Sequence, residues 1–215
     1  MAKELQEPTK LLTEAARTIL RPMGLIQKGR SRTWLDDHCW WLIVVEFQPS
    51  SWSTGSYLNV GCSWLWQVKE HVSFDEGGRV RSFAGFRDEK QFRSAAEQMA
   101  QSAAEEVRRY RSLFSNISSV CRYYEQHHPD GFWPTFNAGI AYALAGQPEK
   151  AELFFRNVML QRDDNHDWVL AAQDEAKKLS AAAPETAKLR DMIVKRIQRT
   201  RDLQKLPPVS HFDFG

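Results

Sequence analysis

The chain has 215 residues, of which 42 % are hydrophobic and 26 % charged, with a formal net charge of +2; this is the composition of an ordinary globular protein. A chain of this length suits one large domain or two small ones, and folding buries about 70 % of the surface the unfolded chain exposes, so no disulfide or metal is needed to hold a core. The small net charge does not by itself imply a nucleic-acid or membrane partner, and the longest apolar run, near WWLIVV, is far short of the roughly 20 residues of a membrane helix.

Residues 1–7 are polar. Thr9 can cap a helix over 9–20, where Leu11, Leu12, Ala15, Ala16, Ile19 and Leu20 fall on one face; Pro22 and Gly24 end it. A basic link with Lys28, Arg30 and Arg32 leads into a first strand around 31–35, and Asp36-Asp37-His38 is the turn to the next. Residues 29–66 hold six of the eight tryptophans, Trp34, Trp40, Trp41, Trp52, Trp64 and Trp66, and the rest of the chain is organised around them. Over 39–48 the odd positions Trp41, Ile43, Val45 and Phe47 are apolar, while the even ones turn polar at Glu46 and Gln48. Over 57–66 the even positions Leu58, Val60, Cys62, Trp64 and Trp66 are apolar. A period of two is the strand signal, and the loop PSSWSTGS at 49–56 separates the two runs. Antiparallel pairing with Gln48 opposite Tyr57 sets Phe47 beside Leu58 on a dry face and Glu46 beside Asn59 on the other. A slip of one residue would turn every apolar side chain out, so burial selects this register.

After Trp66 the alternation continues through Val68, Val72 and Phe74, Asp75-Glu76-Gly77-Gly78 signals a hairpin, and 79–86 reads as a further strand. A long helix is expected over 88–114, with the stripe Phe92, Ala96, Met99, Ala103, Val107, Tyr110 and Phe114. Past a break at Ser115-Asn116 the period continues through Ile117, Val120, Cys121 and Tyr124. Residues 127–131 break the chain again. In 132–160, Gly139, Tyr142, Gly146, Ala151 and Phe155 have the spacing of a tetratricopeptide repeat. Gly139 and Ala151 are small where two helices would touch, and Pro148 stands at the start of the second. This stretch resembles a single tetratricopeptide-type helical hairpin. Residues 163–167 form a loop that caps a helix over 168–179, and a last helix runs from Ala183-Pro184-Glu185 to Leu206. The fold class is therefore α+β: a four- to five-stranded antiparallel sheet packed on helices (1–126), followed by an all-helical subdomain with an irregular tail (127–215).

The residues with chemistry are few. Glu46, Gln48, Tyr57 and Asn59 make a polar patch on the outer sheet face, with Trp40 pointing to the same side and Trp52 in the polar loop; an ordinary solvated face of an antiparallel sheet explains the polar residues more simply than a binding site does. Exposed Trp and Arg recur in interface hot spots. Asp36-Asp37-His38 is better explained as a turn than as a carboxylate-supported base. His127-His128 has no third ligand at a useful spacing. The calcium-loop-like run from Asp163 fails at Trp168 and Asp174. No cofactor or metal is expected. Cys39, Cys62 and Cys121 are widely spaced, which indicates a reducing compartment, and residues 1–10 lack the apolar stretch of a signal peptide. A cytoplasmic protein with no membrane partner is expected.

Gly24, Lys28, Gly29 and Arg30, the aromatic Trp34, the strand end Phe47-Gln48 followed by Ser50 and Ser51, and Asn59 with Gly61 resemble the bacterial domain-of-unknown-function family 4304 over about residues 10–125. That family carries no settled activity, so the resemblance implies a fold and no reaction. Such domains occur in bacterial accessory, toxin–antitoxin and immunity settings, which is an association. The expected function is a non-enzymatic protein-binding or adaptor protein of immunity or defence type. It would use the tryptophan-rich sheet face, the 49–56 loop or the helical hairpin. Two alternatives belong to other classes. One is nucleic-acid binding by the basic last helix, through Lys195, Arg196 and Arg199 together with Arg30, Arg32, Arg79 and Arg81. The other is an enzyme with its site on the sheet face.

Overall fold

The computed structural model describes residues 2–161 and 166–215, with side chains from residue 7 onward. The chain divides into two compact units, Met1–Ser63 with Val72–Ser112, and Trp64–His71 with Leu113–Gly215.

The first unit is an antiparallel sheet with two helices. Strands β1 (Ile26–Gln27), β2 (Thr33–Asp37), β3 (Trp41–Pro49), β4 (Gly55–Trp64) and β5 (Glu76–Gly85) lie in the order β1-β2-β3-β4-β5. Helix α1 spans Ala2–Ile19 and α2 spans Glu89–Leu113. Trp34 pairs with Val45 and Asp36 with Ile43, so the even residues of β2 share a face with the odd residues of β3. Both helices meet that face: Arg32 Nη2 donates to Thr9 Oγ1 at 2.5 Å, and Arg111 Nε donates to Asp36 Oδ2 at 2.7 Å. The core expected from alternation is found there, with Phe47, Leu58 and Val60 buried alongside Leu11, Leu12, Phe92 and Val107. Helix α1 begins before Thr9 and contains Pro8. The Thr9 hydroxyl serves Arg32 rather than a helix end.

The sheet departs from expectation after Trp64. Residues 65–75 form no strand, and Glu76-Gly77-Gly78 are no hairpin turn but the start of β5, which pairs directly with β4 through Gly61↔Gly77 and Val60↔Gly78. The glycines stand there because the backbone comes close. Gly77 has φ +93°, and a Cβ on it would collide with the Tyr110 hydroxyl and lie 2.7 Å from the Val60 carbonyl oxygen. Glycine inside a strand marks such an approach as readily as a turn. The fifth strand is β1, a two-residue edge that sequence alternation is too short to reveal.

The second unit is helical: α3 (Ile117–His127), α4 (Phe132–Leu144), α5 (Pro148–Leu160), α6 (Asp167–Ala182) and α7 (Thr186–Gln204). The break at Asn116 is an N-cap, its side chain accepting from Ser119 N at 2.9 Å. Helix α4 is buried at every position from Thr135 to Leu144, as befits a central helix. It packs on α5, and Tyr142 stacks on Phe154 with ring centroids 5.3 Å apart. A Cβ on Gly139 would lie 2.7 Å from the Phe155 ring, so the close contact requires glycine there. The loop expected at 163–167 falls mostly outside the described residues.

The division expected at 126/127 differs from the observed units, in which α3 belongs with the helices that follow it. Ile117 N donates to Phe214 O at 2.7 Å, and Tyr142 Oη to Cys121 O at 3.4 Å. Residues 64–71 belong there as well. Trp64 and Trp66 are fully buried and stacked at 4.7 Å. Trp66 Nε1 and Gln67 Nε2 both donate to Asn137 Oδ1, at 3.0 and 2.8 Å. Arg196 Nε reaches Trp66 O at 3.0 Å, Thr200 Oγ1 reaches Gln67 O at 3.0 Å, and Gln204 Nε2 reaches His71 O at 2.9 Å. Side chains of α7 thus satisfy carbonyls that a ladder would otherwise occupy, while Asn137 of α4 accepts from the Trp66 and Gln67 side chains.

Candidate functional site

The 49–55 loop joins the two central strands of the sheet. Its residues Ser51, Trp52, Ser53 and Thr54 are exposed, and the Trp52 side chain is almost wholly in solvent, with 94 % of its surface accessible. The loop is nonetheless held: Trp52 N donates to Ser50 Oγ at 3.1 Å, Ser56 Oγ to Gln48 O at 3.2 Å, and Phe86 N to Thr54 O at 2.8 Å.

Beside the loop, four of the expected patch residues come together. Asn59, only 8 % exposed, donates through Nδ2 to Glu46 Oε2 at 2.9 Å and to Gln48 Oε1 at 3.1 Å. Arg79 completes the group: its Nε donates to Asn59 Oδ1 at 2.7 Å, its Nη2 donates to Gln48 Oε1 at 2.8 Å, and its guanidinium lies 3.9 Å over the Tyr57 ring. Tyr57 packs in turn on Phe83 at 5.2 Å. Directional bonds therefore fix each member in place. Arg79 is the member that pattern reading assigns elsewhere, among general basic residues, because a hairpin at 75–78 hides its pairing with Asn59. Trp40 does not join them. It is 4 % exposed, as are Leu42 and Val44 to 1 % or less. This face is thus no uniformly solvated surface: in the group around Asn59, Arg79 is exposed and Glu46, Gln48 and Tyr57 are partly so.

Several of the basic residues are engaged within their own unit. On α7, Arg196 pairs with Glu175 besides binding Trp66 O, and burial lowers its pKa against the opposing charge of Glu175. Arg201 is buried and donates to Pro207 O at 2.6 Å. Lys195 pairs with Asp191 at 2.7 Å, while Arg199 and, at the sheet, Arg30 are exposed. Arg32 is half-buried, its guanidinium pKa lowered by that burial.

The Asp36-Asp37-His38 turn does bring a carboxylate to an imidazole, with His38 Nε2 2.9 Å from Asp36 Oδ2. The carboxylate is also held by Arg111, whose Nη2 binds Met23 O at 2.6 Å, and His38 stacks on Trp41 at 4.4 Å. The cluster fastens β2 to α2 and the turn after α1. Burial raises the pKa of Asp36, but the hydrogen bonds and charges of His38 and Arg111 outweigh it and hold the carboxyl below the usual range. The Cys121 thiol is pushed up to about 11, chiefly by burial, which leaves little thiolate near neutral pH. Among the described residues no three His, Cys, Asp or Glu side chains converge as metal ligands, and no helix is long and apolar enough to cross a membrane. Comparison of the chain with protein-family models, with curated proteins and with solved structures finds no match.

Proposed function

We propose that the chain is a non-enzymatic protein-binding protein whose docking element is the 49–55 loop with the adjoining rim of Gln48, Tyr57 and Arg79. The observation that carries this reading is the exposure of Trp52, an indole held in solvent at the tip of an anchored loop. An aromatic side chain brings a large contact area at small conformational cost. The neighbouring network keeps amide, guanidinium and phenol groups in fixed directions for a partner to read. Hot-spot tryptophans contribute about 2 kcal/mol or more, a factor of about 30 in affinity.

The test is affinity capture from the native host with the wild-type chain and with Trp52→Ala as baits, quantified by mass spectrometry. The proposal expects a defined set of proteins on the wild type that falls at least tenfold on the variant, with the two baits equally folded. Identical captures would end it. A capture lost instead with Arg199→Ala would move the site to α7.

A further inference from the structure

A small cavity of about 230 Å³ lies under the same loop, lined by Pro8, Arg32, Pro49 and residues 50–55. It is smaller than the roughly 300–1,000 Å³ that takes a drug-sized ligand, so it suits a compact head-group whose remainder stays outside. Its chemistry is one-sided. Among the described residues its lining contains no carboxylate. It contains one guanidinium and the hydroxyls of Ser50, Ser51, Ser53 and Thr54, with the Trp52 indole beside them.

Arg32 is under-used where it stands. It is half-buried, donates through Nη2 to the Thr9 hydroxyl, and forms no ion pair among the described residues. Burying a cation without a counter-charge is costly, and a guanidinium is matched to the oxygens of a phosphate. We propose that this cavity binds a phosphate monoester. Arg32 supplies the counter-charge and hydrogen bonds, the loop hydroxyls donate to the remaining oxygens, and Trp52 packs on whatever the phosphate is attached to. A phosphate carries close to two negative charges near neutral pH and three strong acceptor oxygens; Arg32 offsets one charge, and the four hydroxyls can donate to the oxygens it leaves free. The inference rests on the docking reading for its place at the loop and deepens it by naming the group the loop recognises.

The experiment is titration of the full chain with phenyl phosphate, followed by two-dimensional NMR and calorimetry, with benzoate and phenol as controls. Expected are saturable one-to-one binding and shifts of the Trp52 indole N–H and of the amides of residues 50–55. Affinity should fall about tenfold or more in Arg32→Gln. Trp52→Ala should weaken phenyl phosphate while leaving inorganic phosphate unchanged. Adenosine 5′-monophosphate and a phosphoserine tripeptide separate a free nucleotide from a modified side chain as the source, whichever binds tighter than phenyl phosphate. Wild-type protein whose loop signals stay unmoved by phenyl phosphate, or move equally with benzoate and phenol, would overturn the proposal without reference to any variant's folding. So would an Arg32→Gln protein that binds as the wild type does. The two readings fail separately: phosphate binding with unchanged protein capture by Trp52→Ala removes the docking partner, and lost capture without phosphate binding removes the anion site.

Discussion

Asn59→Asp tests the network that fixes the rim. Asn59 spends one nitrogen on Glu46 Oε2 and Gln48 Oε1, and its oxygen accepts from Arg79. Replacing that nitrogen by a carboxylate oxygen turns two attractive contacts into repulsive ones. A hydrogen bond to a charged group contributes about 1.5–3 kcal/mol and a neutral one about 1 kcal/mol. Arg79 offsets part of the loss, and solvent at Glu46 screens part of the repulsion, so the variant should be about 2 kcal/mol less stable near neutral pH. The deficit has a sign with pH. Burial at position 59 and the Glu46 charge raise the new carboxyl's folded-state pKa above the unfolded value of about 3.9. The folded variant then binds more protons than the unfolded one between those values, and its stability relative to wild type falls as pH rises. Below the unfolded pKa both states are protonated, the acid can donate as the amide did, and the deficit disappears. Urea unfolding of variant and wild type at about pH 7 and about pH 4, read by tryptophan fluorescence, measures the difference at each. A deficit of the same size at both pH values, or none at neutral pH, would refute the view that Asn59 bridges Glu46 and Gln48 through its nitrogen.

Two further outcomes concern the frame. Gly139→Val should destabilise the helical unit by about 1–3 kcal/mol through overpacking against Phe155, visible as a lower unfolding midpoint; a gain of stability, as helix propensity alone would favour, would mean that α4 and α5 are not in close contact. Asp36→Asn should lower stability near neutral pH. The folded pKa of Asp36 is lowered, so the carboxylate's contribution is complete above its unfolded value and lost as pH falls through the folded one. Wild type and variant should therefore converge in acid, and parallel pH profiles would contradict the pairing with His38 and Arg111.

Much of this arrangement is legible in the residues alone. Period two over 39–48 and 57–66 identifies β3 and β4, and the burial of Phe47 and Val60 follows from it. The proximity of Glu46 and Asn59 follows as well, since only one register keeps the apolar set dry. The stripe from Phe92 to Tyr110 identifies α2, and Gly139 is small at the helix contact that its spacing implies. Exposure of Trp52 is likewise foreseeable from a loop of serines and glycine.

What pattern reading misses is set by distant partners. Trp40 has the parity of the outer face yet is buried, because the sequence gives no sign of what covers a face. Arg79 joins Asn59 only because Gly77 and Gly78 extend β5 backwards along β4. The alternation of Trp64, Trp66 and Val68 suggests more strand, but the backbone there bonds to Arg196, Thr200 and Gln204, more than 120 residues later in the chain. Local periodicity determines which residues must be buried in an extended or helical segment. It carries no record of whether the hydrogen bonds of that segment go to a neighbouring strand or to side chains of a helix. That choice belongs to the tertiary structure, where every buried carbonyl must find a donor.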